Sequence, residues 1–274
     1  ALRFIGLDME PLEQNEFTYF MSGMGHASIG DVLLDVNAMA QTHPPLFHLV
    51  LYAFSFLGNT EWIARLPAAI AGVAAVPVAF AVAWRFVDGK LVPASVAALA
   101  AAVSPVHVWY SQDVSPYSLM ALFALLMMLS THSAIHRPFA TRPWWGMIFA
   151  SWGLFYSHYY GLHLSIACFL VLGLQILKKE EGWRALAWRA LSTGAVIAAG
   201  LLIWLPAFME AYSWSQGHST AYQRTVGVYH EHSDLFGDIV DALRLLGGFS
   251  IAWKWCAFGG VLIGLLHWRM PSIS

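Results

Sequence analysis

Charge is what this sequence has least of. Only 11% of its 274 residues are Asp, Glu, Lys or Arg, where a soluble domain carries about a quarter. That deficit excludes an ordinary soluble globule, because its surface could not be covered with water-facing groups. Cysteine is nearly absent too: Cys168 and Cys256 are the only two, each inside an apolar run, and no Cys-x-x-Cys occurs. They read as small hydrophobes rather than as a disulfide framework or a thiolate metal centre. A net charge of −2 leaves no basic footprint for nucleic acid. The strict polar/apolar alternation of a membrane barrel is missing as well. There is no internal repeat and no low-complexity tract.

What the chain does have is apolar residues, 58% of the total, gathered in blocks. Runs lie at about 45–57, 62–84, 91–111, 117–135, 144–160, 161–177, 191–209 and 249–268. Lipid accepts only segments that satisfy their own backbone hydrogen bonds, so the expected fold class is all-α, a polytopic transmembrane helical bundle. Residues 8–43 are mixed polar and are expected to form a first external loop with one or two short interfacial helices. A second polar stretch, 210–238, reads as another external loop. The whole of 1–274 reads as a single, incomplete transmembrane domain. The chain opens at Ala1 without a methionine and stops soon after an apolar run, so a piece of a longer protein is expected.

Orientation follows from basic residues, which gather on the cytoplasmic side. Lys178, Lys179, Arg184 and Arg189 form the strongest cluster, and Arg137, Arg142, Arg85 and Lys90 fall on the same side when spans are counted back. Segments 111–116, 157–163 and 210–238 are then external. Residues 8–43 share that face only if 45–57 does not cross, and about 13 residues fall short of the roughly 20 that a span needs.

Five polar elements could carry chemistry. Glu16, beside Asn15 and ahead of Phe17–Phe20, could act as a base at the water edge, or could simply cap an interfacial helix. His43 precedes Pro44 and Pro45 at a helix start, where the prolines are explained by structure and the histidine is not. Asp113, flanked by Gln112 and Tyr117, either faces a cavity or caps the next helix. His158 and Tyr159 sit between two runs, where an aromatic belt explains the tyrosines alone. Arg224, the one cation of 210–238, has the planar fork suited to phosphate. His230-Glu231-His232 could ligate a metal but reads better as a solvated loop, and His132 with His136 reads as interfacial. A divalent metal is left open without being required.

The order of these elements resembles glycosyltransferases of the GT-C superfamily, specifically bacterial homologues of protein O-mannosyltransferases and of the lipid A aminoarabinose transferase. Leu12-Glu13-Gln14-Asn15-Glu16-Phe17-Thr18 resembles their Leu-Trp-x-Asp-Glu-Ala-Phe-Thr segment, and Thr42-His43-Pro44-Pro45-Leu46-Phe47 their His-Pro-Pro-Leu-Tyr. Glu61-Trp62-Ile63-Ala64-Arg65-Leu66-Pro67-Ala68 is similar to Glu-Trp-Ala-Leu-Arg-Leu-Pro-Ser. Tyr110-Ser111-Gln112-Asp113 through Tyr117 is similar to Tyr-Ser-Gln-Glu-Ala-Arg-x-Tyr, and Tyr156–Tyr160 to Tyr-Thr-His-Tyr-Tyr. Five segments in order across about 3–177 are specific to the superfamily and not to a substrate.

The resemblance implies an inverting glycosyltransferase of a bacterial inner membrane, with its site facing outside. It would move a sugar from a polyprenyl-phosphate-linked donor to an unidentified protein, lipid or glycan acceptor. Glu16 and Asp113 are the expected catalytic carboxylates. Asn15, His43, Arg65, Gln112, Tyr117, His158, Tyr159 and Arg224 are the expected donor and phosphate ligands. Two departures stand out: Asn15 occupies the place of the family's aspartate, and Ser115 that of its arginine. They motivate an alternative, an inactive relative that binds a lipid-linked sugar. A transporter is disfavoured by the scarcity of charge within the spans and the lack of an inverted repeat.

Overall fold

The computed structural model describes residues 2–38 and 43–210. The chain divides into two compact units, Ala1–Trp214 and Ser215–Ser274. The second lies wholly outside the described residues, and with it Arg224, His230-Glu231-His232, Cys256 and the 249–268 run.

Among the described residues every regular element is helical. A 3-10 turn at Leu2–Phe4 is followed by α1 (Gln14–Gly23), α2 (Ile29–Ala38) and α3 (Leu46–Ser55). The longer helices come next: α4 (Glu61–Phe86), α5 (Leu91–Val103), α6 (Pro105–Tyr110), α7 (Tyr117–His136), α8 (Arg142–Ser157), α9 (Gly161–Leu177) and α10 (Trp183–Leu202). Helices α4, α7 and α10 are long and apolar enough to cross a membrane. At 26, 20 and 20 residues they reach about 39, 30 and 30 Å, against a hydrocarbon core of about 30 Å. With 10 residues, α3 reaches only about 15 Å, so the 45–57 segment is too short to span alone.

Most boundaries follow local chemistry. Thr60 caps α4 by accepting the Ile63 N–H. The apolar run 91–111 is two helices rather than one. Pro105 has no N–H and holds Ser104 extended at φ −57°, ψ 122°, so α5 stops and α6 restarts with proline in its first turn. The prolines after His43 likewise stand before α3, with Pro45 as its N-cap. Asp113 is not the cap of α7, which Pro116 provides. Helix α10 starts at Trp183, well before the apolar run expected from 191, because Gly182 at φ 79° lets the chain turn into the helix at its basic, amphipathic first turns.

Helix α7 is the central post, packed against α4 on one side and α8 on the other, while α5 lies on α4 and α10 on α8. Close approach is allowed by the small buried face of α4, which is Ala64, Ala68, Ala71, Gly72, Ala75 and Ala79. Small residues let membrane helices gain dispersion where lipid offers no hydrophobic drive. The amino ends of α4 and α7 and the carboxyl ends of α6 and α8 meet at one end of the bundle. There α1 and α3 close over a core of Tyr19, Met24, Phe47, Leu51, Ile63, Ala64 and Val114. Lys90 and Arg137 lie past the opposite ends of α4 and α7, and Lys178 and Lys179 past the carboxyl end of α9, whose amino end follows His158–Tyr160.

Candidate active site

The site is organised by one buried ion pair. Glu16 is the third residue of α1, and its Oε2 reaches back to the Glu13 N–H at 3.0 Å. The same carboxylate takes Arg65 of α4 in a two-pronged bond, Nε to Oε1 at 2.9 Å and Nη2 to Oε2 at 2.8 Å. Oε1 also accepts the Val114 N–H at 2.9 Å. Both residues are 4% exposed. The remaining donors of Arg65 bind carbonyls: Nη1 those of Leu7 (2.7 Å) and Glu10 (2.9 Å), Nη2 that of Pro11 (3.4 Å). All five guanidinium N–H groups are thereby engaged, which is what a buried arginine requires. Burial pushes the Glu16 carboxyl up, but Arg65 and the N–H groups of Glu13 and Val114 outweigh it and hold the carboxyl below its ordinary range. Glu16 is therefore ionised and fully occupied as an acceptor.

Asp113 stands next to this pair and differs from it. It lies between α6 and α7, half-buried, in a tight turn whose Ser115 N–H donates to the Asp113 carbonyl at 2.8 Å. Burial and the neighbouring Glu16 and Glu13 carboxylates push it up to about 6, while Ser115 pulls the other way. Two carboxylates close together, one locked in its charged form and the other lifted toward neutrality, is the separation expected where one group handles a proton.

An aromatic and imidazole wall runs beside Asp113. Tyr110 meets Tyr117 at 4.8 Å between ring centres, Tyr117 meets His158 at 5.6 Å, and His158 meets His43 at 5.4 Å. His43 then meets Tyr19 at 5.2 Å, and Tyr19 meets His48 at the same spacing. Burial, with His158 beside it, lowers His43 to about 4, and burial lowers His158 as well. Both rings are neutral at pH 7 and act as polar groups, not as cations. His158 Nδ1 accepts the Tyr160 N–H at 3.3 Å, which places the proton of the neutral ring on Nε2. Ser22 Oγ donates to the Thr18 carbonyl at 2.8 Å and lies 2.8 Å from His48 Nδ1. Its one hydrogen is spent, so Nδ1 donates to it and Nε2 of a neutral His48 is an acceptor. Neither that Nε2 nor the Tyr19 hydroxyl has a hydrogen-bond partner among the described residues.

Of the expected site residues, Glu16, Arg65, Asp113, His43, Tyr117 and His158 come together at this end. Gln112 adjoins them, but its amide donates to the Leu2 and Ile5 carbonyls. Asn15 is exposed on α1. Tyr159 turns away toward the segment just after α10, accepting Trp204 Nε1–H at 3.2 Å. Three contributors were not singled out from sequence: Tyr19, one helical turn beyond Glu16; His48, one turn into α3; and Arg3, in the opening turn. Among the described residues no group of three His, Cys, Asp or Glu side chains is arranged to hold a metal ion.

Residues 42–209 match the family model described as dolichyl-phosphate-mannose-protein mannosyltransferase. No curated protein and no solved structure matches the chain.

Proposed function

Because the chain belongs to the dolichyl-phosphate-mannose-protein mannosyltransferase family and is thus a membrane glycosyltransferase of the GT-C type, we propose that it transfers a sugar from a polyprenyl-phosphate carrier. The acceptor attacks the anomeric carbon of the donor at the outer face of a bacterial inner membrane, with inversion at that carbon. The basic loops lie at the bundle end opposite the site, which supports an outward-facing centre.

The observation that carries this reading is Asp113, a half-buried carboxylate raised to about 6 beside a carboxylate that cannot itself take a proton. At pH 7 it is mostly ionised, yet basic enough to accept the proton of an acceptor hydroxyl. The acceptor oxygen then bonds to the anomeric carbon. The bond from that carbon to the phosphate oxygen breaks, and the electron pair leaves with the polyprenyl phosphate. Glu16 acts by fixing the loop and by keeping the charge that lifts Asp113. Arg65 is committed to Glu16 and to three carbonyls, so it is not assigned to the phosphate. The neutral His43 and His158, with Tyr117, form a wall for a sugar, offering N–H, O–H and aromatic faces. Asn15 is then no defect, since the base does not come from that position.

The test is transfer of radiolabelled sugar from a panel of polyprenyl-phosphate sugars by the full-length protein in membranes. Labelled product from at least one donor supports the enzyme. Binding of polyprenyl phosphate without transfer from any donor would favour the inactive relative instead.

A further inference from the structure

Asp113 is bracketed on both sides by hydrogen bonds to the first sixteen residues. Downstream, the Val114 N–H is held by Glu16. Upstream, Gln112 Nε2 donates to the Leu2 carbonyl at 3.2 Å and the Ile5 carbonyl at 2.7 Å. Arg3 Nε donates to Ser111 Oγ at 3.0 Å. Its Nη2 and Nη1 continue to the carbonyls of Ala101 (2.7 Å) and Ala102 (3.2 Å) in the last turn of α5. Arg3 is 5% exposed and has no carboxylate partner among the described residues. The negative end of the α5 dipole and the open carbonyls of its last turn take that role. Gly72 makes room for the arrangement, since a Cβ there would meet Arg3 Nε at 2.8 Å and the Ser111 hydroxyl closer still.

These bonds cap no helix that follows the loop, because α7 has Pro116 at its N-cap and no side-chain cap bond. They act on Ser111 and Gln112, the two residues before Asp113. Without them the upstream side of the loop would keep only bonds within 107–118, such as the Gln112 N–H to the Trp109 carbonyl at 2.8 Å and Ser111 Oγ to Ser118 Oγ at 3.2 Å, and none to the opening segment. We propose that Arg3 and Gln112 are positioning residues which, opposite Glu16, hold the Asp113 carboxylate at the place where the acceptor hydroxyl loses its proton. This rests on the assignment of Asp113 as the base. The groups facing Asp113 are Glu13 and Glu16 from the first segment, Arg65 from α4, Tyr19 from α1, and Ser115 and Tyr117 beside it. Loosening the upstream side lets Asp113 move toward water and away from the two glutamates.

The experiment measures labelled-sugar transfer by the full-length protein carrying Gln112→Ala or Arg3→Met, per mole of folded monodisperse protein, from pH 4.5 to 8. A displaced base loses about 10- to 100-fold in kcat. KM for the donor should stay within about threefold, and the acid limb should move from near 6 toward the ordinary carboxylate value. If Arg3→Met fails to accumulate, Gln112→Ala decides alone, because its bonds lie at the surface and run only to the opening turn. Wild-type kcat with the limb still near 6 in Gln112→Ala overturns the proposal, whatever happens to thermal stability. Failure of the underlying reading looks different: Asp113→Asn would then transfer sugar at the wild-type rate.

Discussion

Replacing Arg65 by Met leaves the Glu16 carboxylate buried with two backbone N–H groups and no counter-charge. It also strips donors from the Leu7, Glu10 and Pro11 carbonyls. Breaking one side of a buried pair costs about 3–5 kcal/mol, because the surviving charge is left in a low dielectric. Removing both charges costs less. The double variant Glu16→Gln/Arg65→Met should recover about 2 kcal/mol of that loss, a coupling of the size found for residues in direct contact. The sign of the pH dependence separates this account from a simple packing defect. In the wild type the Glu16 pKa is depressed, so the pair stabilises above the unfolded carboxylate value of about 4.3. That contribution is lost as pH falls through the lower folded value. In Arg65→Met the unpaired carboxylate has a raised pKa, so its penalty is full at neutral pH and relieved on acidification. The stability gap between the two proteins should therefore shrink between pH 7 and pH 4. Denaturant unfolding in detergent micelles, followed by tryptophan fluorescence, measures it. A gap below about 0.5 kcal/mol at pH 7, or one that does not change with pH, would refute the reasoning.

Asp113→Asn should make the folded protein more stable at pH 8, because raising a carboxyl from its ordinary value to about 6 corresponds to roughly 3 kcal/mol at most. The gain should vanish below about pH 4, where the wild-type group is protonated in both states, and unfolding at both pH values checks it. Gly72→Ala places a methyl against Arg3 and Ser111, so a loss of about 1–3 kcal/mol in thermal or denaturant unfolding is expected, together with a fall in transfer like that of Arg3→Met. Tyr156→Phe removes the 2.6 Å bond from its hydroxyl to the Gly200 carbonyl. This should cost about 1 kcal/mol without moving the acid limb of the rate profile.

The helices were largely legible because lipid-compatible segments must be long, apolar and internally hydrogen-bonded, which leaves a mark in composition alone. Boundaries were less so. The restart at Pro105 is a two-residue event inside a continuous apolar run, and the basic first turns of α10 hide its start from a hydropathy reading. At the site, Asp113 could be named from sequence because a charge near a membrane core needs a reason, Glu16 from its place at the water edge, and Arg65 from the resemblance of its segment to the superfamily. Their division of labour could not, since Glu16 and Arg65 are 49 positions apart and Glu16 and Val114 are 98 apart. Sequence alone expects both Glu16 and Asp113 as catalytic carboxylates, and the guanidinium on both Glu16 oxygens is what favours Asp113 as the proposed base. Arg3 was not singled out, because nothing in the sequence ties it to the loop 108 positions later that it holds. Tyr19 and His48 were not singled out from sequence, and their unpartnered buried atoms are what set them apart in the structure.

The most direct test of the central claim is the pH–rate profile of labelled-sugar transfer from a polyprenyl-phosphate donor, measured for wild type and Asp113→Asn side by side. With Asp113 as the base, wild-type transfer falls as pH drops through about 6, and Asp113→Asn is slower by about 100-fold or more at every pH, with that limb gone. A variant that transfers at the wild-type rate, or that keeps the limb near 6, would contradict it and place proton removal on another group.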